Sequence, residues 1–85
     1  MPRVTIYTTP ICPYCSMAKR LLAGKAVAFE EIDVSRDYAA REALVAKSGG
    51  RRTVPQIWIG DRHVGGCDDL MALDSGGQLD ALLAG

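Results

Sequence analysis

A strand that runs directly into a Cys-x-x-Cys turn and then a helix constrains this chain more than any other feature. Residues 4–8 are β-branched or aromatic, which predicts a strand. Residues 13–23 favour a helix that begins at Pro13, because a first helical position does not need the amide hydrogen that proline lacks. Cys12 and Cys15 occupy the junction between the two elements, and a cysteine pair there is typical of a redox centre.

The rest of the chain predicts a mixed sheet covered by helices. Gly24 fits the C-cap of the first helix. The later elements are a strand at 27–34, a helix capped by Ser35 or Asp37 that ends at Lys47, strands at 54–59 and 63–64 around a turn at 60–62, a helix at about 68–73, and a last helical turn or two near 79–83. Strand–helix–strand order implies a parallel pair with a right-handed crossover, and the hairpin adds antiparallel strands. The fold class is therefore α/β.

Length and charge limit the partners that the sequence supports. With 85 residues there is room for one core, so we expect a single domain over residues 1–85. Ten basic and ten acidic side chains leave no net charge, which argues against nucleic acid as the main partner. No apolar run reaches the ~18 residues of a membrane span, and the N-terminus shows no signal-peptide core. We therefore expect a cytoplasmic protein with no membrane partner.

The position of Cys12 favours chemistry over packing. It falls at the N-cap of the first helix, where unpaired backbone N–H groups point outward. A thiolate there accepts hydrogen bonds and gains roughly 0.3–1 kcal/mol from the helix dipole, which increases the nucleophilic fraction at neutral pH. Cys15 lies one turn farther along and is predicted to be the resolving thiol. Three cysteines cannot all pair within one chain, so a disulfide scaffold is not expected.

Two other interpretations of the cysteine pair stay open from the residues alone. Both could be packed core residues, although a turn that opens a helix at a strand end is seldom a core position. The pair could also be half of a structural zinc site, for which Cys-x-x-Cys is a common signature. The four candidate ligands are Cys12, Cys15, His63 and Cys67. The His-x-x-x-Cys half is less usual, because it spans a strand and a helix start.

Two later segments suit either structure or binding. Thr53, Val54 and Pro55 open a strand, where proline is tolerated. Only about 5–6% of X–Pro bonds are cis, so the residues alone do not indicate a cis bond. Segment 65–69 joins two glycines, Cys67 and two aspartates at a helix start. It fits a simple helix cap, or a carboxylate site with an adjacent acid for an ammonium group.

Several single residues have plain structural interpretations. Arg51 and Arg52 are predicted to lie in a solvated loop, His63 at the surface and Trp58 in the core. Cys67 fits equally well as a small buried residue or as a third reactive thiol.

Three segments together resemble the dithiol glutaredoxins over nearly the whole chain. They are residues 6–8 followed by Cys-Pro-Tyr-Cys at 12–15, Thr-Val-Pro-Gln at 53–56, and Gly-Gly-Cys-Asp-Asp-Leu at 65–70. The resemblance implies a thioredoxin fold, with a four-stranded mixed sheet flanked by helices in the order β-α-β-α-β-β-α. It implies a monomeric thiol–disulfide oxidoreductase with glutathione as reducing co-substrate and no permanently bound cofactor. Its partners would be disulfide-containing or glutathionylated proteins, with ribonucleotide reductase as one candidate.

The resemblance also assigns roles to individual residues. Cys12 would attack the substrate disulfide and Cys15 would resolve the product, with Pro13 supporting the thiolate. The Val54 backbone, preceding a cis Pro55, would pair with the cysteinyl part of glutathione. The residues that flank the site or hold the γ-glutamyl end would be Tyr14, Thr53, Gly66, Cys67 and Asp68.

One departure from the family pattern concerns a cation. Many glutaredoxins carry a lysine shortly before the first cysteine, where this chain has Thr9. Arg41, Arg51 or Arg52 would replace that charge in part. The departure therefore bears on the affinity for glutathione more than on the reaction type.

Two other functions stay open beside this one. A module that bridges an iron–sulfur cluster between two chains, through Cys12 and glutathione, usually has a single active cysteine followed by a small residue. Pro13 and Cys15 argue against it. An electron donor to ribonucleotide reductase, recharged by thioredoxin reductase, is disfavoured by segment 66–69, which resembles a glutathione-recognition motif.

Overall fold

Residues 2–85, which the computed structural model describes, form a four-stranded sheet with helices on both faces. In chain order the elements are β1 (Val4–Thr8), α1 (Pro13–Gly24), β2 (Glu30–Asp33), α2 (Tyr38–Lys47), β3 (Gln56–Ile59), β4 (Arg62–Gly65), α3 (Cys67–Ser75) and α4 (Leu79–Ala84). The strand order is β2-β1-β3-β4, with β1 and β2 parallel and the other pairings antiparallel. The predicted mixed sheet is confirmed, and the last helical turns form the separate helix α4. None of the helices in the described part is long and apolar enough to span a membrane.

Strand β1 is buried along its whole length because helices cover both faces of the sheet. On one face, α1, α3 and α4 enclose the larger core cluster, whose fully buried members include Ile6, Leu22 and Leu70. On the other face, Leu44 of α2 packs in a second cluster with Trp58, as predicted for that tryptophan. The carboxyl end of β1, from which the cysteine turn departs, is therefore held from both sides.

Two strands are shorter than the sequence predicts. Strand β2 begins at Glu30, because the Val27 N–H donates to the carbonyl of Leu22 at 3.2 Å and so belongs to the end of α1. Strand β3 begins at Gln56, because Pro55 has no N–H to donate to a ladder. Val54 and Pro55 are thereby left outside the sheet pairing.

The helix starts follow local capping. Of the two candidate caps for α2, Asp37 is the one used, and its carboxylate accepts from the Ala40 N–H at 3.0 Å. Helix α3 starts at Cys67, one residue earlier than predicted, and runs to Ser75.

The turn that closes helix α1 places an alanine in the left-handed region. Ala26 has a φ of 58°. Its N–H donates to Ala23 O at 3.0 Å, while the Val27 N–H donates to Leu22 O. A helix end that is closed by these two hydrogen bonds usually has glycine at the left-handed position. Gly24, suggested by the sequence as the cap, is instead the last helical residue.

We expect Ala26→Gly to stabilise the fold by about 0.5–1 kcal/mol, because glycine has no Cβ to strain at positive φ. Urea unfolding would show a higher midpoint with an unchanged denaturant slope. Ala23→Gly is the matched control, since the same exchange inside the helix should destabilise by about 1 kcal/mol. A lower midpoint for Ala26→Gly would contradict the expectation.

Candidate active site

Cys12 occupies the N-cap of α1, as the sequence predicts. Its backbone is extended, with φ −147° and ψ 102°, and Pro13 follows at the first helical position. The N–H of Cys15 donates to the Cys12 sulfur at 3.1 Å. A sulfur anion at this position therefore accepts a backbone hydrogen bond and faces the positive end of the helix dipole. Cys12 is half-buried, so a substrate disulfide has access to it.

Cys15 is held as a neutral thiol. Its side chain is 1% exposed. Burial, followed by a hydrogen bond with the Cys12 side chain, raises the pKa of the Cys15 thiol to about 12. Both cysteines are free thiols. At neutral pH the attacking sulfur of the pair is therefore Cys12, because only a thiolate is an effective nucleophile.

An open groove of about 350 Å³ lies beside Cys12. The Cys12 thiol donates to the Val54 carbonyl at 3.8 Å, and the Val54–Pro55 peptide bond is cis. The groove is lined by all seven residues for which a binding role is predicted, together with two more, namely Tyr14, Thr53, Val54, Pro55, Gly66, Cys67 and Asp68, then Arg51 and Asp69. The topology thus gathers three separate segments at one end of the sheet.

The glycine turn beside this groove is held by Asp69. The Asp69 carboxylate accepts from the Gly66 N–H at 2.9 Å, and the Arg51 guanidinium lies 3.7 Å from the same oxygen. Gly65 has a φ of 114°, and a Cβ there would collide with the Asp69 carboxylate. The start of α3 is thereby fixed, with Cys67 and Asp68 as its first residues.

Asp69 was not among the predicted site residues, and Arg51 was named only as one of three arginines that would replace the missing lysine. Asp69 had a usable signal, since an acid three residues after a helix N-cap is the acceptor of a capping box. Nothing in the sequence distinguished Arg51 from the other two arginines, because its approach to the glycine turn depends on packing between distant segments. It is exposed as predicted, but the loop that carries it borders the groove.

Cys67 packs in the core, and His63 is hydrogen-bonded to a neighbouring side chain. Cys67 is 4% exposed within the larger core cluster, and burial, followed by the charge of Asp68, raises the pKa of its thiol. His63 is half-buried rather than a surface residue, and its ring nitrogen lies 2.7 Å from the Gln56 side chain. In residues 2–85 no group of three or more His, Cys, Asp or Glu side chains is arranged to hold a metal ion. The four candidate zinc ligands are not brought together.

Of the arginines considered as substitutes for the missing lysine, Arg51 is the one that lines the groove. Arg41 donates to the Arg52 carbonyl at 2.9 Å. The Arg52 side chain lies 3.6 Å from Glu42. Arg51 is therefore the arginine that supplies positive charge at the groove.

We expect iodoacetamide to modify Cys12 alone in the native protein. Cys15 and Cys67 are buried, and the raised pKa of Cys15 keeps its thiol protonated well above neutral pH. Intact-mass and peptide mass spectrometry should show one adduct under native conditions and three in denaturant. Native modification of Cys15 or Cys67 at a rate comparable with Cys12 would refute this assignment.

Comparison with known proteins gives a consistent result. A family model for glutaredoxin matches residues 4–64. The chain is 57% identical over 84 residues to a glutaredoxin of Pseudomonas aeruginosa, covering 99% of each chain. It is 53% identical over 83 residues to glutaredoxin 3 of Escherichia coli, covering 98% of this chain and 99% of the relative. A crystal structure of a buckwheat glutaredoxin–glutathione complex matches with a TM-score of 0.88 and 30% identity, over 98% of this chain and 77% of that one. The fold is therefore the thioredoxin fold, and the chain belongs to the glutaredoxin family of glutathione-dependent thiol–disulfide oxidoreductases.

Proposed function

We propose that glutathione, free or in a mixed disulfide, binds in the groove beside Cys12 and that Cys12 carries the exchange chemistry. The observation that carries this proposal is the placement of an accessible thiol at a helix N-cap, 3.8 Å from the Val54 carbonyl that lines the groove. The backbone of Val54 lies outside the sheet pairing of β3, which leaves it able to pair with an extended peptide.

With a glutathionylated protein, the Cys12 thiolate attacks the sulfur of the glutathionyl group. The protein leaves as a thiolate, which takes a proton from solvent, and Cys12 is left in a disulfide with glutathione. A second glutathione thiolate attacks the glutathionyl sulfur, releases oxidised glutathione and restores the Cys12 thiolate. This route uses one cysteine of the pair.

With a protein disulfide, the first attack leaves Cys12 joined to the substrate. Cys15 then loses its thiol proton and its sulfur attacks the Cys12 sulfur, which forms the Cys12–Cys15 disulfide. The substrate sulfur that was bound to Cys12 leaves as a thiolate and takes up a proton, so the substrate is released as a dithiol. Two of the causes that raise the pKa of Cys15 are its hydrogen bond with Cys12 and the Cys12 charge. Burial, the largest cause of the raised pKa, remains when Cys12 is in a disulfide, but the Cys12 charge is then gone, which favours loss of the Cys15 proton at this step. Two glutathione molecules then reduce the pair.

The charges around the groove suit a small zwitterionic peptide. Asp68, exposed in the first turn of α3, would meet the α-ammonium group of the γ-glutamyl residue. The N-terminal N–H groups of α3 suit the adjacent carboxylate. Arg51 would supply positive charge in place of the lysine that many relatives have at Thr9. Glutathione has one ammonium and two carboxylate groups, and this arrangement is complementary to them.

We expect Asp68→Asn to raise the KM for a glutathionylated peptide about twofold to fivefold, the effect of losing one exposed ion pair. The kcat should change by less than about twofold, because Asp68 does not contact the reacting sulfurs. The assay follows NADPH consumption with glutathione and glutathione reductase. Asp61→Asn, the same exchange in the exposed β3–β4 turn at the far end of β3, is the control. Equal KM values for wild type and Asp68→Asn would remove Asp68 from the site, and an inactive wild type would reject the proposed function.

We further propose that the chain acts as a single domain over residues 1–85, as a monomer in the cytoplasm. Its substrates would be glutathionylated and disulfide-containing proteins, with ribonucleotide reductase as one candidate, and neither nucleic acid nor membrane would be a partner. One continuous sheet and the balance of ten basic and ten acidic side chains support this proposal.

A further inference from the structure

Three hydrogen-bonded side chains run from strand β4 to the groove. Gln56 is the first residue of β3 and has no exposed surface. Its Nε2 donates to the Thr53 hydroxyl oxygen at 3.2 Å, and its Oε1 lies 2.7 Å from His63 Nε2. Throughout residues 2–85, every buried side-chain nitrogen or oxygen has a hydrogen-bond partner. The Gln56 amide therefore links His63, which does not line the groove, to Thr53, which does.

The chemistry of the Gln56 amide sets which group donates and which accepts in these hydrogen bonds. The amide oxygen can only accept, so His63 donates from Nε2. The amide nitrogen can only donate, so the Thr53 oxygen accepts. A hydroxyl that accepts in this way keeps its own proton available for another partner. With the Gln56 amide turned over, Thr53 would donate inward and present only lone pairs to the groove.

Packing holds the His63 ring in place. It stacks on Trp58 with ring centroids 4.4 Å apart and an interplanar angle of 22°. Trp58 is itself buried, with its ring edge-to-face against Tyr7 at 5.3 Å. Burial, followed by the charge of Arg51, lowers the pKa of His63, while Asp69 acts in the opposite direction. The neutral ring donates to Gln56 only as the tautomer that carries its proton on Nε2.

We propose that His63 is a positioning residue for ligand binding: through Gln56 it keeps the Thr53 hydroxyl proton free to donate to an acceptor oxygen of glutathione in the groove. Glutathione offers such oxygens in two carboxylates and two amide carbonyls. The proposal rests on the proposed function and adds to it a residue that does not line the groove.

The kinetic test compares His63→Phe, Thr53→Val and the double variant with a glutathionylated peptide. Phenylalanine keeps the stacking on Trp58 but cannot donate, and valine removes the hydroxyl with little change of shape. Each single variant is expected to raise KM about threefold to tenfold, with kcat changed by less than about twofold. The double variant should be no worse than the worse single variant, because both act through one hydroxyl. His63→Gln keeps an N–H donor and should recover most of the lost affinity.

Additive effects in the double variant, or a wild-type KM for His63→Phe, would overturn the proposal. Nitrogen-15 NMR of the unmodified protein tests it without any substitution. Near neutral pH, the His63 ring should carry its proton on Nε2. A proton on Nδ1 instead would show that His63 does not donate to Gln56 and would reject the proposal. The NMR result does not depend on turnover. Failure of the proposed role of His63 and failure of the proposed function are therefore distinguishable.

Discussion

Replacing Cys12 with serine is expected to abolish the reduction of both glutathionylated and disulfide substrates, with kcat/KM lower by at least about 10³-fold. Both proposed routes begin with a Cys12 thiolate, and a serine hydroxyl neither ionises near neutral pH nor forms a disulfide. Cys15 cannot take over, because its side chain is buried and its pKa is raised to about 12. The measurement is NADPH consumption coupled to glutathione reductase, with each substrate in turn.

The serine variant should remain folded, which makes this loss interpretable. Serine is among the best N-cap residues, so it can accept the Cys15 N–H that Cys12 accepts at 3.1 Å. Circular dichroism and a urea midpoint close to wild type would establish that α1 is intact. A residual kcat/KM above about one thousandth of the wild-type value would mean that another thiol attacks first.

Replacing Cys15 with serine is expected to separate the two substrate classes. Reduction of a glutathionylated peptide should stay within about threefold of wild type, because that route needs Cys12 alone. Reduction of a peptide with an intramolecular disulfide should fall by about 10²-fold or more. In the proposed dithiol route Cys15 resolves the mixed disulfide from one helical turn away, at a very high effective concentration. An external thiol that takes its place has no such advantage.

The same coupled assay decides between the two routes when both peptides are run side by side. A large loss on both substrates would show that Cys15 also takes part in deglutathionylation. No loss on the disulfide peptide would show that glutathione resolves the intermediate and that the dithiol route is dispensable. If Cys15 is the resolving thiol, mass spectrometry should detect the disulfide between Cys12 and the peptide in the variant and not in the wild-type protein.

The cysteine turn was predictable because its interactions are local. The cap joins Cys15 to Cys12 across three residues, and Asp37 caps α2 across the same separation. Such hydrogen bonds depend on residue types and spacing that are visible in the sequence. The order of strands and helices was predictable for the same reason, since hydrophobic patterns and turn residues are also local.

The errors lie where a segment had two local choices. Residues 27–29 have strand-like composition, yet Val27 closes α1 through Leu22. Ala26 adopts the left-handed conformation that composition assigns to glycine. In both places the hydrogen bonds that close the end of α1 outweigh a weak preference of the residue type, which is the expected limit of propensity.

By itself the sequence determined the strand–cysteine-turn–helix unit, the nucleophile at the helix N-cap and the family pattern that names the groove residues. Only the tertiary structure decided which distant groups meet there. The contact between Cys12 and Val54 spans 42 residues, and the approach of Arg51 to Asp69 and the Gln56 contact to His63 both cross between elements. Burial likewise decided that Cys67 is a core thiol and His63 a half-buried one. Local hydrogen bonds and periodicity are encoded within a few residues, whereas burial and long-range contacts exist only once the sheet and its helices have packed together.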